Sequence, residues 1–159
     1  CFPPVVDART RVLILGSLPG EASLAQSQYY AYKHNQFWRL AGEVIDQDLP
    51  GMDYDARLQA LLAHRLGLWD VVAEAKREGS LDSKIRDHAG NDLIGLITSL
   101  PELTVIAFNG GTAARLGLKA LGAHGSGYRI LTLPSSSPAH TLSYSEKLRA
   151  WRELRPWLD

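Results

Sequence analysis

Cysteine is nearly absent from this chain: its one cysteine is Cys1. That excludes a disulfide framework and a cysteine-rich zinc site, and it fits a reducing, cytoplasmic compartment. Long hydrophobic runs are missing as well. No apolar stretch approaches the roughly 20 residues of a membrane span, so no membrane is expected among the partners. The first residues lack the basic-then-apolar pattern of a secretory leader. There is no excess of charge of either sign, since 17 Lys and Arg balance 17 Asp and Glu. A formal net charge of zero speaks against an indiscriminate nucleic-acid coat and leaves room for a local basic rim. Internal repeats, low-complexity tracts and an interdomain linker are also lacking. The 159 residues are 45% hydrophobic and 21% charged, a mixture expected to form one domain (1–159) around one core.

What is present is an alternation of two patterns. Arg11–Leu15, Leu66–Val72, Leu103–Phe108 and Tyr128–Leu133 are short, nearly continuous apolar runs, as expected of strands buried on both faces. Between them the apolar spacing is helical. Phe37, Leu40, Ala41, Val44 and Ile45 form one stripe, and Leu58, Leu61 and Leu62 mark a second helix beginning near Asp53. Leu93, Leu96, Ile97 and Leu100 mark a third, capped by Asn91 or Asp92, and a fourth covers Gly110–Leu121. Ser143 and Glu146 form a capping box opening the last helix, which turns Leu148, Trp151 and Leu154 inward and ends or bends at Pro156. Strands alternating with helices predict an α/β fold with a mainly parallel sheet covered on both faces. Residues 46–56 and 73–91 are the longest connections without a clear pattern.

In an open parallel sheet, ligands bind beyond the carboxyl ends of the strands. Just past each predicted strand stand Gly16-Ser17-Leu18-Pro19-Gly20, Trp69-Asp70, Phe108-Asn109-Gly110-Gly111 and Pro134-Ser135-Ser136-Ser137-Pro138-Ala139-His140. Each alone reads as an ordinary turn; together, on four strands, they predict one shared crevice. Gly16–Gly20 has neither the lysine nor the spacing of a Walker A loop and is not GxGxxG, which argues against a nucleotide phosphate site. Tyr29, Tyr30 and Tyr32 precede Lys33-His34-Asn35-Gln36-Phe37-Trp38. Their spacing fits neither helix nor strand, whereas an aromatic face beside amides suits recognition of an extruded base. Three serines between prolines offer hydroxyls and N–H groups to a phosphate from a stiff loop. Lys33, Arg39, Lys84, Arg86, Lys119 and Lys147 read mostly as solvated charges, with Lys33, Lys84 and Arg86 expected at the mouth of the crevice.

The combination of GSLPG (16–20), Asn35-Gln36-Phe37-Trp38 and LPSSSPAH (133–140) resembles the signature motifs of the uracil-DNA glycosylase superfamily, and is most similar to its hypoxanthine-DNA glycosylase group, family 6. LWDVV and FNGG fall where that group's second and third strands end, so the resemblance spans nearly the whole chain. It implies a three-layer α/β/α sandwich around a central four-stranded parallel sheet, with no metal and no organic cofactor. The implied activity is monofunctional hydrolysis of the N-glycosidic bond of a flipped, deaminated base. Hypoxanthine is the first expectation and uracil in a mismatch its nearest variant. The implied partner is double-stranded DNA containing a damaged base, bound by a monomer.

The resemblance also implies roles for particular residues. The superfamily's first motif commonly carries Asp, Glu or Asn where Leu18 stands here, and in the hypoxanthine group that role passes to the position of Asn35. Asn35, with Asp70 as the competing candidate, is expected near the anomeric carbon. Phe37 is expected to stack on the base. Gly16, Ser17, Leu18, Pro19, Gly20, Phe108 and Asn109 are expected to line its pocket. Ser135, Ser136 and Ser137 are expected to grip a phosphate, with Pro138, Ala139 and His140 against the DNA. Ser135 replaces the histidine that precedes Pro-Ser-Pro in uracil-specific enzymes. Two other readings of the same residues are a small-molecule hydrolase with a serine nucleophile, for which no G-x-S-x-G elbow is present, and a catalytically silent DNA-binding module.

Overall fold

The computed structural model describes residues 2–76 and 86–158, with 74–76 and 86–89 described as backbone. Four strands, β1 (Val12–Gly16), β2 (Leu66–Asp70), β5 (Val105–Asn109) and β6 (Arg129–Leu133), form an all-parallel sheet in the order β2-β1-β5-β6. The two remaining strands, β3 (Val72–Lys76) and β4 (Arg86–Gly90), pair antiparallel as a separate ribbon. Both central strands are buried along their full length, which is why their sequences are apolar at every position rather than at alternate ones.

Helices cover both faces of the sheet, so the fold is the expected α/β/α arrangement. On one face, α2 (Phe37–Ile45), α3 (Tyr54–Ala63) and α6 (Tyr144–Trp151) pack Phe37, Leu40, Leu61 and Trp151 against Val12, Ile14, Leu66 and Leu68. On the other, α4 (Leu93–Thr98) and α5 (Gly111–Leu121) pack Leu93, Ile97, Ala113 and Leu116 against Leu13, Leu15, Ile106 and Phe108. Alternate residues of β1 thus feed opposite cores, as the pleat requires. The short α1 (Glu21–Gln26) follows the first glycine loop. Among the described residues no helix is long and apolar enough to cross a membrane.

Asp53 caps α3 through Ala56 N at 2.8 Å, and of the two candidates for α4 it is Asp92 that accepts from Gly95 N at 3.0 Å. Ser143 accepts from Glu146 N at 3.3 Å, and α6 ends at Trp151, so Pro156 lies in a 3-10 turn beyond it. One predicted element is corrected. Leu66–Val72 is not one strand: β2 stops at Asp70, and Val72 opens β3. The chain turns there while Val71 N bonds Gly16 O and Val72 N bonds Ser17 O, so both valines stay buried and the break leaves no polar mark in the sequence.

Close packing under the site gives a first expected result. A Cβ on Gly117 would lie 2.2 Å from Cε1 of the fully buried Phe108 ring. Gly117→Ala is expected to destabilise the fold by about 1–3 kcal/mol through overpacking, in spite of alanine's better helix propensity. Urea unfolding checks it; an unchanged or raised midpoint would contradict it.

Candidate active site

The strand register brings the predicted segments to one edge. Gly16 is level with Asp70 across β1 and β2, and Asn109 is level with Leu133 across β5 and β6. The carboxyl ends of all four strands therefore face the same way. The chain passes from β1 to β2 on one side and returns to β5 on the other, so the topological switch point lies between Gly16 and Asn109.

A line of side-chain contacts crosses that edge. Asn35 Oδ1 accepts from Phe37 N at 2.9 Å, an Asx turn leading into α2, and from Ser136 Oγ at 2.8 Å. Ser136 Oγ in turn accepts from Asn109 Nδ2 at 2.9 Å, while Asn109 Oδ1 accepts from Ser136 N at 2.9 Å. Asn109 Nδ2 also donates to Tyr30 Oη at 3.1 Å. The Tyr30 hydroxyl and the Asp70 carboxylate then meet over Gly16, where a Cβ would stand 2.7 Å from Tyr30 Oη and 2.6 Å from Asp70 Oδ1. Glycine at 16 is thus a requirement of space. The order across the cleft is Asp70, Tyr30, Asn109, Ser136, Asn35.

The bonds fix orientations. Two N–H or O–H donors meet Asn35 Oδ1, so the amide is turned with its carbonyl inward and its amino group outward. Both hydrogens of Asn109 Nδ2 are spent on Ser136 and Tyr30, and its Oδ1 keeps one lone pair. Asp70 is buried at the end of β2, where Asn91 Nδ2 bonds its backbone carbonyl at 2.8 Å. Burial pushes the hydroxyl of neighbouring Tyr29 above the ordinary tyrosine range, and the charge of Asp70 adds to the shift.

Several expected residues stand differently from the reading of the sequence. Phe37 is fully buried, and Tyr30 lies stacked on it with ring centroids 4.0 Å apart and planes 11° from parallel. Of the two stacked rings, Tyr30's is the more exposed. Phe37 is its backing, wedged also against Trp38 and Trp151. Ser136 is 1% exposed with its hydroxyl, N–H and carbonyl all bonded, the carbonyl to Gln36 N at 2.9 Å. It ties the loop to Asn35 and Asn109 and has no group left for a phosphate. Ser135 and Ser137 are half-buried and accept from Ser137 N and Ala139 N, so each hydroxyl hydrogen stays unused. Pro138, Ala139 and His140 are exposed beside them. Leu18 is half-buried against the core on the α4 and α5 face, Ser17 is buried, and Gly20 precedes α1.

Lys147 is a further correction: it is no surface charge but lies buried under the serine loop. Lys33 is exposed in the turn before Asn35, Lys84 lies outside the described residues, and Arg86 is described as backbone only. Two open grooves lie away from this edge, one lined by Arg39, Glu43, Asp46 and Tyr144, the other by Arg9, His64, Arg65 and Arg155. Among the described residues no cluster of three or more His, Cys, Asp or Glu side chains is placed to hold a metal ion.

Comparison with known proteins agrees with this fold. The model of the "Uracil DNA glycosylase superfamily" matches residues 3–159. The chain belongs to that superfamily. A curated relative from Methanosarcina barkeri, named hypoxanthine DNA glycosylase, is 42% identical over 154 residues, covering 96% of this chain and 94% of the relative. One of the same name from Methanosarcina acetivorans is 43% identical over 150 residues, covering 94% and 93%. A solution NMR structure of a Methanosarcina acetivorans protein assigned to the uracil DNA glycosylases superposes with a TM-score of 0.86 at 42% identity, over 99% of this chain and 96% of that one. The superfamily member described here is thus an enzyme, a DNA glycosylase, and its substrate polymer is DNA.

Proposed function

We propose that this glycosylase hydrolyses the N-glycosidic bond of a deaminated base flipped out of duplex DNA, with hypoxanthine in deoxyinosine as its principal target. The observation that carries the reading is the bonded line from Asn35 through Ser136 and Asn109 to Tyr30, ending beside Asp70 over Gly16. It puts a flat aromatic face, an amide acceptor and an outward-turned amino group on one edge of the sheet.

Cleavage moves negative charge onto the departing base and positive charge onto the sugar. Tyr30 stacks on the base. The remaining lone pair of Asn109 Oδ1 accepts the ring N–H that hypoxanthine has and adenine lacks. Backbone groups of Gly16–Gly20 and Phe108 complete the pocket, where donors near the base oxygen stabilise the leaving charge. Adenine, with an amino group beside a bare nitrogen, would leave those groups unpaired. Uracil shares the carbonyl and N–H, so pocket size separates it from hypoxanthine. Asn35 holds the attacking water from its amino group. An oxocarbenium ion is electrophilic enough that a positioned water suffices without a base. Ser135 and Ser137 donate their hydroxyl hydrogens to a phosphate, and Pro138, Ala139 and His140 face the gap in the duplex. The enzyme acts as a monomer and needs no metal or organic cofactor in this scheme.

A catalytically silent DNA-binding module is the second reading, supported by the apolar, half-buried Leu18 where the superfamily commonly places a catalytic polar residue. The serine-nucleophile reading loses ground, because among the described residues no histidine side chain bonds Ser135, Ser136 or Ser137. Duplexes carrying inosine, uracil or xanthine opposite each normal base, incubated with the protein and treated with alkali, test all three. The expected result is a strand break at inosine that appears only after alkali. Tight binding without a break supports the silent module, and strands intact at inosine but cut at uracil shift the assignment to uracil.

A further inference from the structure

Lys147 stands out on α6. Its neighbours Ser145, Glu146 and Arg149 face solvent, yet Lys147 is 1% exposed. Its ammonium donates to Gln36 Oε1 at 2.9 Å and to the carbonyl of Ser137 at 3.0 Å, and neither acceptor is a carboxylate. Burying an ammonium without an anion is costly, and here burial pushes its pKa below the ordinary lysine value. A methionine would fill the same space without that cost, so the charge calls for a reason beyond packing.

The reason is in what the two acceptors flank. Gln36 follows Asn35, and Ser137 follows Ser136. Asn35 and Ser136 share the 2.8 Å bond that turns the Asn35 amino group outward, and Gln36 N bonds Ser136 O at 2.9 Å along the same seam. One ammonium thus grips both sides of the joint between the turn bearing Asn35 and the serine loop. We infer that Lys147 is a positioning residue for excision, acting through Asn35 by clamping Gln36 to Ser137. The inference rests on the function proposed above. The buried positive charge also lies under the loop that meets the anionic strand, which favours the same arrangement when DNA is bound.

Single-turnover excision from an inosine duplex tests it, with duplex affinity and thermal unfolding measured on each variant. Lys147→Met is expected to lower the excision rate about 10²-fold, the scale of a small misplacement of a reacting group, while affinity changes little. Lys147→Arg, which keeps the charge and the donors, is expected to recover part of that loss. Combined with Asn35→Ala, Lys147→Met is expected to cost nothing further, because a clamp acting through Asn35 has nothing left to position; independent effects would multiply. Should Lys147→Met not fold, Gln36→Met breaks the same clamp from the other side and is expected to show the same non-additivity. Wild-type rates in Lys147→Met, or multiplicative losses in the double variant, overturn the inference alone. A wild-type chain inert on every deaminated duplex overturns the functional reading and this inference with it.

Discussion

Asn35→Ala is expected to slow single-turnover excision by about 10²–10⁴-fold, the usual size of losing a group that handles the attacking water. The fold should survive, with a loss of about 1 kcal/mol from the hydrogen bond that Phe37 N–H gives up before α2. Binding of the damaged duplex should also survive, because Tyr30 and the hydroxyls of Ser135 and Ser137 remain. Asn35→Asp sharpens the test. One carboxylate oxygen keeps the bonds to Phe37 N and Ser136 Oγ, and the other stands where the amino group was, so a water is still held and part of the rate returns. A group acting instead as a donor to the departing base would not be replaced by a carboxylate, and Asn35→Asp would stay as slow as Asn35→Ala. An Asn35→Ala protein at the wild-type rate would transfer the role to Asp70. Asp70→Asn should then abolish activity.

Gly16→Ala is the second large effect. Its methyl group would be forced to within 2.6 Å of Asp70 Oδ1 and 2.7 Å of Tyr30 Oη, and Tyr30 is held by Asn109 and by its stack on Phe37. Something must move, and whichever moves belongs to the row of side chains on which the proposed site is built. Excision is expected to fall by about 10²-fold for a displacement on the ångström scale. Thermal stability should change far less, since the apolar contacts of Leu13, Ile14 and Leu15 are untouched. Wild-type kinetics in Gly16→Ala would mean that the Tyr30 and Asp70 positions do not matter to the chemistry.

How much of this was legible in the sequence follows from where each signal is written. β1 and β5 are buried on both sides, so their apolar runs announce them and fix the edge where Gly16 and Asn109 end up. The serine loop is legible as unusual residues at a strand end, and Asn35 through the resemblance, in an aromatic and amide stretch ahead of α2. Tyr30 is not. Its backbone is left-handed, with φ of +52°, in a stretch that is neither helix nor strand, so its ring reaches Phe37 through turns that no periodicity marks. The stripe of α2 marks Phe37 as buried, and only the position of Tyr30 shows what lies against its face. Ser136 looks like its two neighbours in sequence, and only the fold turns it inward between Asn109 and Asn35. Lys147 lies in a stretch with Ser145, Glu146 and Arg149 that reads as a solvated face. Its burial comes from the return of the serine loop across α6.

The central claim is that this chain frees hypoxanthine from DNA by hydrolysis at the glycosidic carbon and leaves the backbone whole. Mass-spectrometric detection of the products from an inosine-containing duplex, without alkali or heat, tests it most directly. The account predicts free hypoxanthine in step with an unbroken strand bearing an abasic site. Hypoxanthine retained in the strand, or released as a nucleotide with a cut backbone, would contradict it.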